Sequence, residues 1–226
     1  MNYIFDVDGT LTPSRMRIDK EFKEFFLEFI KKNNVYLATG SDYIKTVEQL
    51  GIEICENVTK CYNCCGNSVW KNGEEIFRSD WTLSDELDKW LKKELKKSKF
   101  DIRTGNHIEQ RPGLVNFSIV IYTQWDEQVE ERRTIAREFN QQFAYYKAQV
   151  AGETGLDIMP IGYDKRQIAD DIEGPIIFFG DKMAHGGNDY PLAEVIQYRE
   201  NSWNYEVKSW KDTHKILISL SYNGLQ

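Results

Sequence analysis

The stretch Phe5-Asp6-Val7-Asp8-Gly9-Thr10-Leu11-Thr12, close to the N-terminus, decides how the rest of the chain is read. Tyr3, Ile4 and Phe5 form an apolar run short enough to be a buried strand. Two carboxylates follow at a spacing of two, then a glycine and a hydroxyl residue. On extended backbone, residues i and i+2 point to the same side. Asp6 and Asp8 are therefore expected to share a pocket at the strand's end, and a bend after Asp6 would separate them enough for different tasks.

Working outward, Asp19 is placed to cap a helix in which Phe22, Phe25, Phe26, Phe29 and Ile30 follow the amphipathic period. Asn33-Asn34 ends it, and Val35 to Ala38 is a second short strand leading into Thr39-Gly40-Ser41-Asp42. Asp42 caps the next helix and Gly51 stops it. The same alternation returns late in the chain. Asp164 caps a short helix through Ile172, and Pro175 to Phe179 is a continuous apolar strand. Gly180-Asp181-Lys182 and Gly186-Gly187-Asn188-Asp189 follow, with Asp189 starting a helix through Ile196, then a strand near Tyr205 and a helix from about Thr213. Strand–helix alternation with short joints predicts an α/β, Rossmann-like parallel sheet flanked by helices, whose ligands gather at the carboxyl ends of the strands. Asp6, Asp8, Thr39 and Ser41 all fall there.

The middle of the chain reads differently. Val58 to Phe77 looks like strands, with Asn72-Gly73 as a hairpin turn. Leu87, Trp90, Leu91 and Leu95 mark an amphipathic helix with a lysine-rich outer face. From Leu114 to Tyr122 the pattern alternates, with Val115, Phe117, Ile119 and Ile121 on one face and Asn116 and Ser118 on the other. A polar helix over roughly 126–143 and an extended stretch from Ala148 to Pro160, broken by Gly152 and Gly155, complete the block. Residues 79–159 are thus expected to form an inserted α+β cap domain, and 1–78 with 160–226 the core domain.

The chain has 226 residues, enough for one well-buried core with a smaller second domain. A net charge of −7 argues against a nucleic-acid or anionic-membrane binder. No apolar run approaches the ~20 residues that span a bilayer, and the N-terminus lacks a basic-then-apolar leader, so a cytoplasmic protein is expected. Cys61 and Cys64 have zinc-like spacing, but His107, His185 and His214 lie far along the chain. With Cys55 and Cys65 they read as buried thiols in a reducing compartment. His107 and His185 read as loop residues, and Lys92, Lys93, Lys96, Lys97 and Lys99 as a solvated helix face. Trp125 and Tyr122 are candidates for lining a cap pocket.

Asp6, Asp8, Asp181 and Asp189 converge at strand ends, where close carboxylates need a neutralising partner. A hard divalent cation with oxygen ligands, Mg2+, answers that need and invites phosphate. Lys165, the hydroxyls of Thr39 and Ser41, and the loop amides after Asp6 are placed to hold phosphoryl oxygens. Asp6 would attack phosphorus to give an aspartyl phosphate. Asp8 would protonate the leaving alcohol and then deprotonate the incoming water. Each motif alone is commonly a solvated turn or loop; four in order at strand mouths make a constellation.

This constellation resembles the four motifs of the haloacid dehalogenase superfamily, and within it eukaryotic-type phosphomannomutases. The resemblance is carried by Asp6 to Pro13 with Arg15, Gly40-Ser41-Asp42, Glu48 to Gly51, Ile108-Glu109 with Arg111, Asn116, Ser118, Asp157, Gly162, Asp164-Lys165-Arg166 and Phe178 to Lys182 with Gly186 to Asp189. It implies a core with an inserted cap, Mg2+, Asp6 as nucleophile, Asp8 as acid–base group and, through its carbonyl, metal ligand, Asp181 as metal ligand, and a dimer joined through the cap. Such mutases grip a second phosphate with cap arginines, a serine and an aspartate, plus a core arginine. Here Arg15, Arg111 and Asp157 match, one arginine position falls at or near Tyr122, and the serine position falls at Gly155. A third arginine has no match unless Arg132 or Arg133 serves. The expectation is an Mg2+-dependent phosphatase acting on a small phosphorylated metabolite, a sugar phosphate, with a true phosphomannomutase as the alternative and a non-catalytic binding protein of the same fold as the third reading.

Overall fold

In a computed structural model, the described residues are 1–98, 105–119, 129–151 and 154–222. Strand β1 (Asn2–Phe5) lies at the middle of a seven-stranded sheet. It pairs in parallel with β2 (Asn34–Ala38) on one side and β10 (Ile176–Gly180) on the other. The remaining strands are β3 (Lys60–Asn63), β4 (Ser68–Lys71), β5 (Glu74–Arg78) and β11 (Trp203–Glu206), in the order β11-β10-β1-β2-β3-β4-β5. β3 and β11 continue the parallel set, while β4 and β5 run antiparallel. Phe5 pairs with Leu37 and with Phe179. The residues that follow these three therefore emerge side by side at one edge, which brings Asp6, Thr39 and Asp181 together.

The apolar runs of β1 and β10 follow from burial on both faces. Tyr3, Phe5, Leu37 and Phe179 pack with Phe22, Phe26 and Phe29 of α1 (Lys20–Ile30) and Leu217 of α7 (Trp210–Tyr222). Ile4, Ala38 and Phe178 pack on the opposite face with Leu192 and Ile196 of α6 (Tyr190–Ile196) and Ile168. Asp19 caps α1, accepting from the amides of Glu21 and Phe22. Asp42 caps α2 (Tyr43–Leu50), accepting from Lys45 N. Gly51 ends α2 as expected, its amide donating to Val47 O, and a further short helix, α3 (Ile52–Asn57), follows at once and buries Ile54 and Cys55. Between β4 and β5, Asn72 and Gly73 both adopt left-handed φ, 51° and 79°, the combination a two-residue hairpin turn demands.

The second sheet has four antiparallel strands, β6 (Ile108–Arg111), β7 (Leu114–Ser118), β8 (Tyr146–Ala151) and β9 (Gly155–Pro160), in the order β6-β7-β9-β8. One face carries Val115, Phe117, Leu156, Ile158 and Ala148 against Leu87 and Leu91 of α4 (Asp85–Lys97) and Ile135 and Phe139 of α5 (Val129–Gln142). The other face carries a polar row set by register, in which Glu109 opposes Asn116, Asn116 opposes Asp157, and Asp157 opposes Gln149. Leu114 and Met159, on that same face, pack against Cys64 and Cys65 beyond β3. No helix among the described residues is long and apolar enough to cross a membrane.

Candidate active site

Asp6 follows directly on β1, its amide donating to Phe179 O at 2.9 Å. The Lys165 ammonium, wholly buried, donates to Asp6 Oδ1 at 2.5 Å and to Asp189 Oδ1 at 2.6 Å. Lys165 opens a 3-10 segment (Lys165–Asp171) that Asp164 caps by accepting from Arg166 N. Lys147 of β8 donates to the same Asp164 at 2.9 Å. Asp189 Oδ2 accepts the amides of Asp181 and Lys182, each at 3.1 Å. Asp189 stands immediately before α6 (Tyr190–Ile196), as expected of the residue that starts that helix. Its side chain makes no capping bond, since both oxygens are taken by the buried lysine and the loop after β10.

Burial pushes the Asp6 carboxyl well above the usual carboxylate range; Asp189 adds to the rise and Lys165 opposes it. Burial alone would depress the Lys165 ammonium, but Asp189 and Asp6 raise it above its ordinary value and keep it charged. Burial likewise raises Asp181, with Lys182 opposing from 2.9 Å. One oxygen each of Asp6, Asp181 and Asp189 lie within 4.8 Å of one another. Among the described residues, Asp181 Oδ1 is buried with no hydrogen-bond partner, and Asp6 Oδ2 holds none. An all-oxygen set with unsatisfied buried acceptors fits a hard divalent cation.

Asp6 and Asp181 floor a cleft of about 910 Å3 between the two sheets. Asp6, Asp8, Asp181, Thr39, Ser41 and Arg15 line it from the first sheet's loops. Arg111, Asn116 and Asp157 line it from the second sheet. Lys165 and Asp189 lie beneath the floor, both fully buried. Asp8 Oδ1 accepts from Arg15 N at 2.6 Å and from Gln49 Nε2 at 2.8 Å. Thr39 Oγ1 accepts from Ser41 N at 3.1 Å. The Thr39–Ser41 loop is held from behind by Cys65 N donating to Thr39 O and Cys64 N to Ser41 O, at 2.9 and 3.0 Å. Both cysteines take left-handed φ, 61° and 49°. Burial lifts the Cys64 thiol to about 12 and raises Cys65 well above its ordinary value, so neither is a ready nucleophile. All four cysteines are free, and the described residues show no cysteine metal cluster.

On the second sheet, Arg111 donates to Glu109 at 2.7 Å and to Gly40 O at 3.2 Å. Lys45 of α2 meets Glu109 from the opposite side at 2.9 Å. Burial would raise Glu109, but Arg111 and Lys45 together bring it down to about 2. Asn116 donates to Asp157 Oδ1 at 2.8 Å, and burial raises the Asp157 carboxyl while Arg111 opposes. Neither Arg132 nor Arg133 lines the cleft. Arg132 is buried and donates to Gly155 O at 3.2 Å, whereas Arg133 is exposed on α5, 3.8 Å from Glu130. A Cβ at Gly155 would stand 2.8 Å from Asn116 Nδ2, so the glycine there leaves room for the Asn116 carboxamide. Tyr122 and Trp125 lie outside the described residues. His185 is exposed against the Tyr190 ring at 5.1 Å, and His107 Nδ1 lies 2.6 Å from Ser118 O.

Sequence reasoning gave no role to Lys45, Arg17 and Lys182, which also line the cleft. A helical signal was present for one of them: Lys45, Glu48 and Gln49 fall at i, i+3 and i+4 on α2 and all three line it.

A family model described as eukaryotic phosphomannomutase matches residues 22–222. The phosphomannomutase of Saccharomyces cerevisiae is 27% identical, over 96% of this chain and 92% of its own length. Phosphomannomutase 1 of Dictyostelium discoideum is 30% identical, over 97% of this chain and 96% of its own. Among solved structures, a trehalose-6-phosphate phosphatase related protein superposes with a TM-score of 0.61 at 17% identity, covering 100% of this chain and 99% of that one. An IMP-bound mutant of Plasmodium falciparum IMP-nucleotidase gives 0.68 at 17% identity, covering 97% and 68%. At such identities the structural likeness speaks for the fold, and the sequence relatives speak for descent. By that evidence the chain is an enzyme with the haloacid dehalogenase fold and belongs to the eukaryotic phosphomannomutase family.

Proposed function

We propose that the protein transfers the phosphoryl group of a small sugar phosphate to Asp6 and then to water. Asp6 Oδ2, the oxygen not engaged by Lys165, attacks phosphorus as the bond from phosphorus to the sugar oxygen breaks. Asp8 gives its proton to the departing alkoxide. Asp8 next takes a proton from water, whose oxygen attacks the aspartyl phosphate; the acyl phosphate bond breaks, inorganic phosphate leaves and Asp6 is regenerated. Lys165, kept charged by two carboxylates, orients Asp6 and lowers the negative field that an approaching phosphate meets. Mg2+ would be held by Asp6 and Asp181 with the main-chain carbonyl of Asp8, Asp189 standing behind them, and when bound it shields carboxylate from phosphoryl oxygen. The second sheet with α4 and α5 serves as the cap that selects the sugar.

One observation carries hydrolysis over mutase turnover. Among the described residues Arg111 is the only cap arginine on the cleft, and it is already engaged by Glu109 and Gly40 O. Charge-assisted contacts to phosphate are worth roughly 1.5–3 kcal/mol each. A cap short of them releases a bisphosphate intermediate before it turns round. The phosphomannomutase reading is favoured by the named relatives and by Arg15, Arg17 and Lys45 on the core rim, which could hold a second phosphate from the other side.

Incubation with Mg2+ and a panel of hexose phosphates, including mannose 1-phosphate with a sugar bisphosphate activator, separates the readings. Free phosphate is the expected product. Conversion to the 6-phosphate without net phosphate release establishes the mutase. Inertness on every substrate points to the binding protein.

A further inference from the structure

We propose that Gln49 is a positioning residue for Asp8, dictating which of its two oxygens handles the proton. The inference rests on the acid–base reading of Asp8 given above. Asp8 sits outside regular structure, tied to Thr12 only by an isolated bridge, so a rigid neighbour must fix its carboxylate. Gln49 is that neighbour. It lies one residue from the end of α2, a helix capped by Asp42 and followed by Gly51. Its own carbonyl accepts Ile18 N at 2.9 Å, which ties the loop after the motif to the helix. Its Nε2 donates to Asp8 Oδ1 at 2.8 Å and reaches Thr12 Oγ1 at 3.3 Å. With Arg15 N also on Oδ1 at 2.6 Å, that oxygen is saturated by donors. Oδ2 has no partner among the described residues, and Asp8 lines the cleft. A carboxyl proton cannot sit on an oxygen facing two N–H donors. In its role as acid, Asp8 therefore has only Oδ2 left to carry and deliver a proton. Gln49 is 7% exposed yet borders the cleft, so it supports Asp8 from behind without taking a place meant for substrate.

The test uses the full-length enzyme with Mg2+ and two substrates of opposite demand. A hexose phosphate leaves as an alkoxide and needs a proton; 4-nitrophenyl phosphate leaves as a stable phenolate and does not. The quantity compared is kcat/KM, which reports the first phosphoryl transfer. Gln49→Leu keeps the volume and removes the donor. Its kcat/KM should fall about ten- to a hundredfold on the hexose phosphate, the scale of one hydrogen bond to a charged group, and under about threefold on the aryl phosphate. The loss should lie in kcat, with KM nearly unchanged. Gln49→Glu, which sets an acceptor against Oδ1, should show the same selectivity, and it carries the comparison if the leucine variant does not fold. Equal losses on both substrates, or none, overturn the proposal. Asp8→Asn, run in parallel, separates the two layers: if its loss is selective and that of Gln49→Leu is not, only the positioning role fails. If Asp8→Asn shows no selective loss, or the wild type is inert on both substrates, the acid–base reading fails and takes the proposal with it.

Discussion

Gly9 and Asp181 are packed so closely that a Cβ on the glycine would lie 2.4 Å from Asp181 Oδ2. The same glycine holds φ at +79°, in the left-handed region. The turn it makes is closed by Thr10, Leu11 and Thr12 amides converging on Val7 O. The tight turn of the first motif and the carboxylate of the last are therefore one assembly.

Gly9→Ala should disable the enzyme without unfolding it. A side chain at positive φ costs roughly 1–2 kcal/mol, and the contact forces Asp181 or the turn to move. The expected result is a loss of at least about tenfold in kcat, since small displacements at a reacting centre are costly. Melting temperature should fall by about 2–8 °C for a chain of this size. Steady-state kinetics and calorimetry on the same preparation check both.

Lys165 and Asp6 should respond to substitution in opposite ways. Lys165→Met leaves Asp6 and Asp189 buried without their shared cation. Breaking a buried pair from one side costs about 3–5 kcal/mol, so unfolding at markedly lower temperature is expected, together with loss of turnover. Asp6→Asn keeps the Lys165–Asp189 pair and removes a carboxylate that Asp189 repels. Turnover should vanish while melting temperature stays equal or rises. An Asp6→Asn protein with near wild-type turnover would remove Asp6 from its role.

Where local chemistry decided the structure, the residues announced it. The caps Asp19 and Asp42, the Asn72-Gly73 turn and the doubly buried Tyr3-Ile4-Phe5 run each carry their signal within a few positions. α3 carried too little signal, because six residues with two buried side chains do not establish a period. Asp189 read as the start of a helix and is one, but nothing near it signals that a lysine 24 positions earlier claims its side chain. The polar row Glu109–Asn116–Asp157–Gln149 depends on the order β6-β7-β9-β8 and its register. Neither is encoded in any one strand.

Glu109 ties acid stability to the wall between the two sheets. Arg111 and Lys45 hold its folded value at about 2, below the ordinary 4.5. A depressed carboxyl stabilises the fold fully above its unfolded value and loses that contribution as pH falls through the folded one. The window is therefore about pH 4.5 down to about 2. Chemical denaturation of wild type and Glu109→Gln should show a constant stability gap above pH 5 that shrinks across this range. Raised salt should narrow the gap at neutral pH, because the side chain is 33% exposed.

Gln149 should prove more stable as an apolar residue. It stands opposite Asp157 in the polar row, is 5% exposed, and neither carboxamide atom has a hydrogen-bond partner among the described residues. An unsatisfied buried polar group costs about 1–3 kcal/mol, whereas an apolar group of similar shape costs nothing of the kind. Gln149→Leu is expected to raise the melting temperature by about 2–4 °C for each 1 kcal/mol recovered. Gln149→Glu places a second carboxylate beside Asp157, already raised by burial, and should lower the melting temperature instead. Thermal unfolding of the three proteins in the absence of substrate gives the order leucine, glutamine, glutamate if the side chain is buried without partners. If the leucine variant melts below wild type, the carboxamide has partners that hold it in place.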